Sequence, residues 1–139
     1  MKKLSVLLMV LALVGCSSNT ATPTTKTGTG EVETDSDKTT VTVTMEGDKL
    51  TSVYIDQANK GEAGKKELKE DYNMKGVSPI GKEWYEQAEF LEKYMVDNNT
   101  IKLDTDEKGH PVSEDVLAGC TIAITDILEA ANKAVEAAK

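Results

Sequence analysis

Arginine is absent: all sixteen basic residues are lysines, set against 24 aspartates and glutamates. Without a forked guanidinium to clamp a phosphate or carboxylate, an anion site must rely on backbone N–H groups, lysines or a covalent bond. The surplus of acid argues against nucleic acid and anionic lipid as ligands. Histidine occurs once, at His110, and cysteine twice, at Cys16 and Cys120. A Cys–His catalytic pair would need His110, and no third residue to orient it is evident. An apolar run long enough to span a bilayer is also missing. Leu4 to Val14 is about a dozen residues, against the ~20 that a crossing requires.

That run does have the length of a signal-peptide core, and Lys2 and Lys3 precede it. It ends in Leu13-Val14-Gly15-Cys16, which resembles the lipobox of bacterial lipoproteins. The resemblance implies cleavage before Cys16 and attachment of diacylglyceryl to it, with residues 1–15 as the signal peptide. The alternative is an ordinary secretory signal followed by an incidental cysteine. Two or three acyl chains, buried at ~0.8 kcal/mol per methylene, make a durable anchor. The mature protein is then extracytosolic, held by lipid to the bacterial cell membrane without crossing it. Loss of Lys2 and Lys3 leaves 14 lysines against 24 acids, a formal charge of −10. With Cys16 acylated, Cys120 has no partner in the chain, and no internal disulfide staples the fold.

Residues 16–37, "CSSNTATPTTKTGTGEVETDSD", are rich in Ser, Thr, Gly and Asp and nearly free of apolar side chains. Such a segment cannot bury enough surface to offset the entropy of ordering, which predicts a flexible tether from Cys16. Residues 38–139 then form one small domain. The stretch "TTVTVTMEGDKLTSVYIDQ" predicts a hairpin: Val41, Val43 and Met45 alternate with threonines, and Leu50, Val53 and Ile55 follow a Gly47-Asp48 turn. Gly-Asp order suits a II′ turn better than I′. Threonines on the other face suggest one packed side and one wet side.

"GEAGKKELKEDYNMKG" is polar and predicts either a short exposed helix around Lys65 to Asp71 or an irregular loop. In "SPIGKEWYEQAEFLEKYMVDNN", Ile80, Trp84, Ala88, Leu91 and Met95 recur at spacings of three and four. The pattern predicts an amphipathic helix starting at Ser78-Pro79 and ending at Asp97-Asn98-Asn99. Trp84 is read as core; the alternative is that it borders a flavin-sized ring together with Tyr72 or Tyr94. A short strand over Thr100 to Leu103 and an acidic loop come next. Asp104, Asp106, Gly109 and Asp115 match four places of a calcium-binding EF-hand loop, but Lys108 stands where an oxygen donor is needed. The loop is read as a solvated turn, with no metal site. The last element, "TIAITDILEAANKAVEAAK", is a helix from Thr125, or from Thr121, with Ile124, Ile127 or Leu128, Ala131 and Val135 on one side. The expected class is α+β: a small antiparallel sheet with an N-terminal hairpin, packed against an amphipathic central helix and a C-terminal helix.

Chemistry concentrates at the start of that last helix, in "EDVLAGCTIAIT". Gly119 permits close backbone approach and positive φ. First-turn N–H groups lack internal partners and carry partial positive charge, which makes a phosphate site that needs no arginine. Thr121 there either caps the helix or carries the phosphate.

The order of parts, "TVTVTMEGDKLTSVYID", a helical insert, then "DVLAGCTIAITDILEAANKAV", resembles the FMN-binding domain of extracytosolic flavoprotein lipoproteins and of flavin subunits in sodium-pumping NADH:quinone reductase and Rnf complexes. "GKEWYEQAEFLEKYM" also resembles membrane-anchored lipoproteins of the "major membrane immunogen" type. In flavinylated members, a motif of Asp, two variable residues, Ser or Thr, Gly, Ala and Thr ends in the threonine esterified to FMN phosphate. The resemblance aligns Asp115, Gly119 and Thr121 with the motif's Asp, Gly and acceptor Thr, with Cys120 beside the acceptor as cofactor-binding neighbour. Ala118 replaces the usual Ser or Thr, and Cys120 the usual Ala. What the resemblance implies is an electron carrier rather than an enzyme: covalent FMN on Thr121, loaded by an FMN transferase from FAD. Its partners would be a membrane quinone reductase and soluble or extracellular acceptors. The rival is a cofactor-free surface or binding lipoprotein that keeps the fold, with Thr121 as a cap and Cys120 as a buried small residue. A third idea, redox sensing by Cys120, requires a lowered thiol pKa and lacks a resolving cysteine.

Overall fold

The computed structural model describes residues 22–139. The expected signal peptide and the lipid attachment at Cys16 lie outside that span. Three antiparallel strands, β1 (Thr25–Glu33), β2 (Asp37–Glu46) and β3 (Lys49–Asn59), form one sheet in the order β1-β2-β3. The β2–β3 hairpin closes through Gly47-Asp48, with Glu46 opposite Lys49. Gly47 takes φ +61 while Asp48 stays at negative φ, the pattern of a II′ turn. A register shift beside Thr44/Met45 leaves Thr51 as the extra residue of a bulge. That bulge explains a spacing that strict alternation cannot. Leu50 and Val53 are three apart, yet both are buried on one face with Val41, Val43 and Ile55.

Strand β1 corrects the sequence expectation. Thr25–Glu33 falls inside the predicted tether, yet it pairs along its length with β2, Gly28 opposite Val43 and Gly30 opposite Val41. Its alternation is of Thr with Gly, and half-buried Val32 near its end is its one apolar side chain, too little to signal burial. The glycines are the buried positions. A Cβ on Gly28 would lie 2.1 Å from the Ala134 carbonyl oxygen, and one on Gly30 2.0 Å from that of Ala130. The C-terminal helix fills the space where side chains would stand. On the opposite face Thr27 meets Thr44 at 3.1 Å and Thr29 meets Thr42 at 2.9 Å through their hydroxyls, the expected wet side.

Four helices follow: α1 (Lys65–Leu68), continued by a 3₁₀ turn over Lys69–Tyr72, α2 (Trp84–Asp97), α3 (Glu114–Leu117) and α4 (Thr125–Ala137). Helix α2 starts later than predicted, because Gly81 turns the chain at φ +63 and the Glu83 N–H is capped by the Glu86 carboxylate at 2.8 Å. It ends as expected, with Asn99 left-handed at φ +48. Trp84, Ala88, Leu91 and Met95 are buried, and so is polar Gln87. The predicted strand at Thr100–Leu103 is not formed; Ile101 and Leu103 pack against the core from an extended segment without a ladder. The outer edge of β3 is met by side chains instead, the Ile55 N–H donating to Glu92 Oε1 at 2.6 Å and the Leu50 N–H to Asn99 Oδ1 at 2.7 Å. Glu92 also pairs with Lys66, and burial raises its pKa against those favourable bonds. The buried stripe of α4 is Ile127, Ala130, Ala131 and Ala134, continued by Ala138 just past its end, and it is rotated towards alanine because small residues must meet β1. Among the described residues no helix is long and apolar enough to cross a membrane.

Close approach of α4 to β1 makes a direct prediction. Gly30→Val should destabilise the protein by about 3 kcal/mol or more, since the methyl groups collide with helix backbone rather than with flexible side chains. Thr29→Val, on the wet face, should stay within about 0.5 kcal/mol of wild type. Urea melts of the two variants decide it.

Candidate functional site

A cleft of about 660 Å³ opens between the end of β3, α1, the start of α2 and the start of α4. Its size falls within the ~300–1,000 Å³ of small-molecule sites. Lys65, Tyr72 and Trp84 line one part; Lys108, His110 and Thr121 line another. Asp37 and Asp126 also reach its wall, so the charge is mixed rather than uniformly positive.

Each wall has a local cause. Helix α1 is short, yet its first residue is buried: Lys65 is 7% exposed. The Lys65 Nζ lies 4.9 Å from the centre of the Tyr72 ring and 5.6 Å from that of Trp84, within cation–π range. It donates to Gln57 Oε1, while the Gln57 Nε2 donates to the buried Thr39 hydroxyl at 2.9 Å. Met74 is set by buried Glu83, whose carboxylate accepts from the N–H groups of Met74 at 2.8 Å and Lys75 at 3.1 Å. The acidic loop is an Asp-centred turn: Asp106 Oδ1 accepts from the N–H groups of Lys108 and His110 at 2.8 and 2.9 Å. Those bonds, the His110 N–H first, hold the Asp106 carboxyl below its usual range. Gly109, at φ +84, lets the loop lie against α4, where its carbonyl accepts from the Ile124 N–H at 2.8 Å. A Cβ there would lie 2.4 Å from the Thr125 hydroxyl.

Of the four corner residues expected to bind the cofactor, only Thr121 lines the cleft. It is half-buried, and it does not cap α4, whose N-cap is Ile124 with no side-chain capping bond. The Thr121 N–H and hydroxyl both donate to Gln87 Oε1, at 2.8 and 3.2 Å. Gly119 is not at positive φ. Its lack of a side chain serves packing instead, since a Cβ would meet the Phe90 ring at 2.3 Å. Cys120 is fully buried in the core, and burial pushes its thiol up to about 11 despite a bond from the Ile122 N–H. That direction is opposite to the lowered pKa that redox sensing requires. Asp115 is exposed in the first turn of α3 and away from the cleft. The unpaired amides expected at Thr121 lie further on: the N–H groups of Thr125 and Asp126 open α4 and have no acceptor among the described residues.

Gln87 and Lys65 escaped the sequence patterns. Gln87 sits one turn from Trp84 on the apolar stripe, and its place there is the signal a helical wheel would give. Lys65 carries no such mark, because a lysine in a polar glycine-flanked segment reads as solvated.

No family model matches the chain, and no curated protein matches it. Two solved structures are similar. A solution NMR structure of a protein from Clostridium thermocellum is 27% identical, covers 80% of this chain and 88% of its own, and superposes with a TM-score of 0.54. A crystal structure of a protein from Clostridium perfringens is 19% identical over 83% of this chain and 88% of its own, with a TM-score of 0.57. The chain shares their fold. It is α+β, with a three-stranded antiparallel sheet packed against helices.

Replacing Gln87 by Leu strands the Thr121 N–H and hydroxyl, and should cost about 1–3 kcal/mol in urea unfolding. Glu89→Leu, exposed on the same helix, is the control expected to be near neutral. Cys120, for its part, should ignore a thiol-exchange reagent at pH 8 in the folded protein. It should titrate as one free thiol once the protein is unfolded.

Proposed function

We propose that the protein is a membrane-anchored extracytosolic FMN-binding lipoprotein that carries electrons, with FMN joined to Thr121 through a phosphoester and lipid joined to Cys16. The observation that carries this reading is the company Thr121 keeps. Thr121 lines a cleft of about 660 Å³ together with Tyr72, Trp84, buried Lys65 and the open first turn of a thirteen-residue helix. That set suits a phosphate tail with an aromatic neighbour: the Thr125 and Asp126 amides offer donors that require no arginine, and half-buried Tyr72 borders the cleft. Gln87 accepts the Thr121 hydroxyl hydrogen, which leaves the oxygen lone pairs free to face the cleft.

When bound, the flavin supplies the electron chemistry, and the chain supplies attachment, orientation and tuning. Thr121 would take the FMN phosphoryl group from FAD on an FMN transferase, with AMP as leaving group and loss of the hydroxyl proton. Asp115, exposed on α3, remains available to that transferase, while Gly119 and Cys120 shape the corner from within the core. A covalent bond would retain the cofactor outside the cell. The proposed exchange partners are a membrane quinone reductase and a soluble or extracellular acceptor.

One observation favours the second reading, a cofactor-free binding lipoprotein. Gln87 already engages both polar groups of Thr121, and two aspartates face the same cleft. Colour separates the two readings. Protein co-expressed with an FMN transferase should show flavin absorbance that survives denaturation, a mass increase of one FMN, and neither of these in Thr121→Ala. A colourless wild-type protein from that co-expression would sink the flavin reading.

A further inference from the structure

The sheet has two edges, and side chains close only one of them. On the outer side of β3 the Leu50 and Ile55 N–H groups donate to Asn99 and Glu92, and the Gln57 N–H donates to the Asp56 carboxylate at 2.8 Å. Past them Ala58 bridges to Gly64. Strand β1 is the other edge. Since the Ile55 N–H points out of the sheet, its cross-strand partner Val41 turns its own backbone groups away from β3, towards Gly30. The alternation then sends the N–H and C=O groups of Thr25, Thr27, Thr29 and Glu31 outward. Lys133 Nζ agrees with that direction, reaching the Glu31 carbonyl from α4 at 3.1 Å. All four residues are exposed, and among the described residues the Thr27 and Thr29 N–H groups have no acceptor. Natural sheets blunt an open edge with bulges, prolines or charges. Here β1 has no proline, its register with β2 is unbroken, and Lys133 covers a single carbonyl.

We propose that β1 pairs antiparallel with β1 of a second copy of the chain, joining two three-stranded sheets into one continuous sheet. This surface is independent of the flavin reading. Pairing satisfies outward N–H and C=O groups of Thr27 and Thr29 that now face solvent. A second copy is the occupant because the strand complements itself when reversed. Its lysine, Lys26, stands near the start, and its glutamates, Glu31 and Glu33, near the end. Antiparallel pairing sets the basic end of one copy beside the acidic end of the other, whereas parallel pairing sets like beside like. Threonine hydroxyls already meet across β1 and β2, Thr27 with Thr44 and Thr29 with Thr42. Threonines of a second β1 extend a contact that the sheet already makes. Helix α4 packs over Gly28 and Gly30 on one face and leaves the threonines exposed.

The test is sedimentation velocity of the full chain in detergent over a concentration series, for wild type, Thr29→Pro and Thr27→Lys. Wild type should show a monomer–dimer equilibrium. Thr29→Pro removes a donor that makes no bond to β2, so the fold should persist. Its dissociation constant should rise about tenfold or more, because the dimer loses the same bond twice. Thr27→Lys should weaken the dimer similarly, by setting like charges beside each other at the shared edge. The fluorescence of Trp84, the one tryptophan in the chain, reports whether each variant is folded. Thr27→Lys decides the matter where Thr29→Pro loses the native signal. A wild type that sediments as a monomer throughout overturns the pairing and leaves the edge to an unlike chain or to water. A dimer that folded variants do not weaken overturns it too, since its interface, or mere sharing of a micelle, then lies elsewhere than β1.

Discussion

A single buried amide holds the site together. Gln87 Nε2 donates to the Ser78 hydroxyl and the Lys82 carbonyl, both at 3.1 Å, and its Oε1 accepts from the Thr121 N–H and hydroxyl. Three segments meet at this side chain: the turn before α2, α2 itself, and the irregular corner between α3 and α4. None of the bonds is strong alone, a neutral pair being worth about 1 kcal/mol net. The larger quantity is the cost of leaving the fully buried Gln87 amide without partners. Four bonds closing on one residue fix where Thr121 stands relative to Trp84, and so fix one wall of the cleft against another. A leucine would pack well at that position and specify nothing.

The sheet depends on a different economy, that of missing side chains. Gly28 and Gly30 on β1 face Ala130, Ala134 and Ala138 on or next to α4, so helix and strand approach backbone to backbone. The contact buries little area per residue. It is long and continuous, and it ties the first strand to the last helix. Lys133 Nζ adds a bond to the Glu31 carbonyl at 3.1 Å, from the flank of the same helix. Fixing α4 against β1 also fixes the first turn of α4, which borders the cleft.

These two devices explain which parts of the molecule were legible in the sequence. The β2–β3 hairpin announced itself through alternation, and even its turn type followed from Gly47 preceding Asp48. The stripe of α2 and the body of α4 were equally plain. Strand β1 was invisible, because its buried positions are glycines and its exposed ones threonines, a composition shared with tethers. The strand expected at Thr100–Leu103 had the right residues but does not pair with β3, where Glu92 and Asn99 occupy donors on the outer side. At the site, motif order pointed to Thr121, which lines the cleft, and its neighbours do not, for physical reasons. Gly119 is glycine because Phe90 lies over it, and Cys120 is small because it sits in the core; neither needs a ligand to explain it. Lys65 was missed because burial of a lysine depends on Tyr72, Trp84 and Gln57, which lie on three different elements. No local pattern encodes such a convergence.

Formation of β1 also fixes where the chain enters the sheet. The chain enters the sheet at Thr25, opposite Glu46 and next to the Gly47 turn, whose N–H donates to the Thr24 carbonyl at 3.4 Å. The cleft residues Asp37 and Gln57 belong to the other end of the strands, near Glu33. Nine residues of strand at ~3.3 Å each separate the two ends by about 30 Å. The place where the described chain enters the sheet and the cleft therefore stand at opposite ends of the strands. Under the proposed lipid attachment at Cys16, the strand that follows would start at the end of the sheet remote from the cleft.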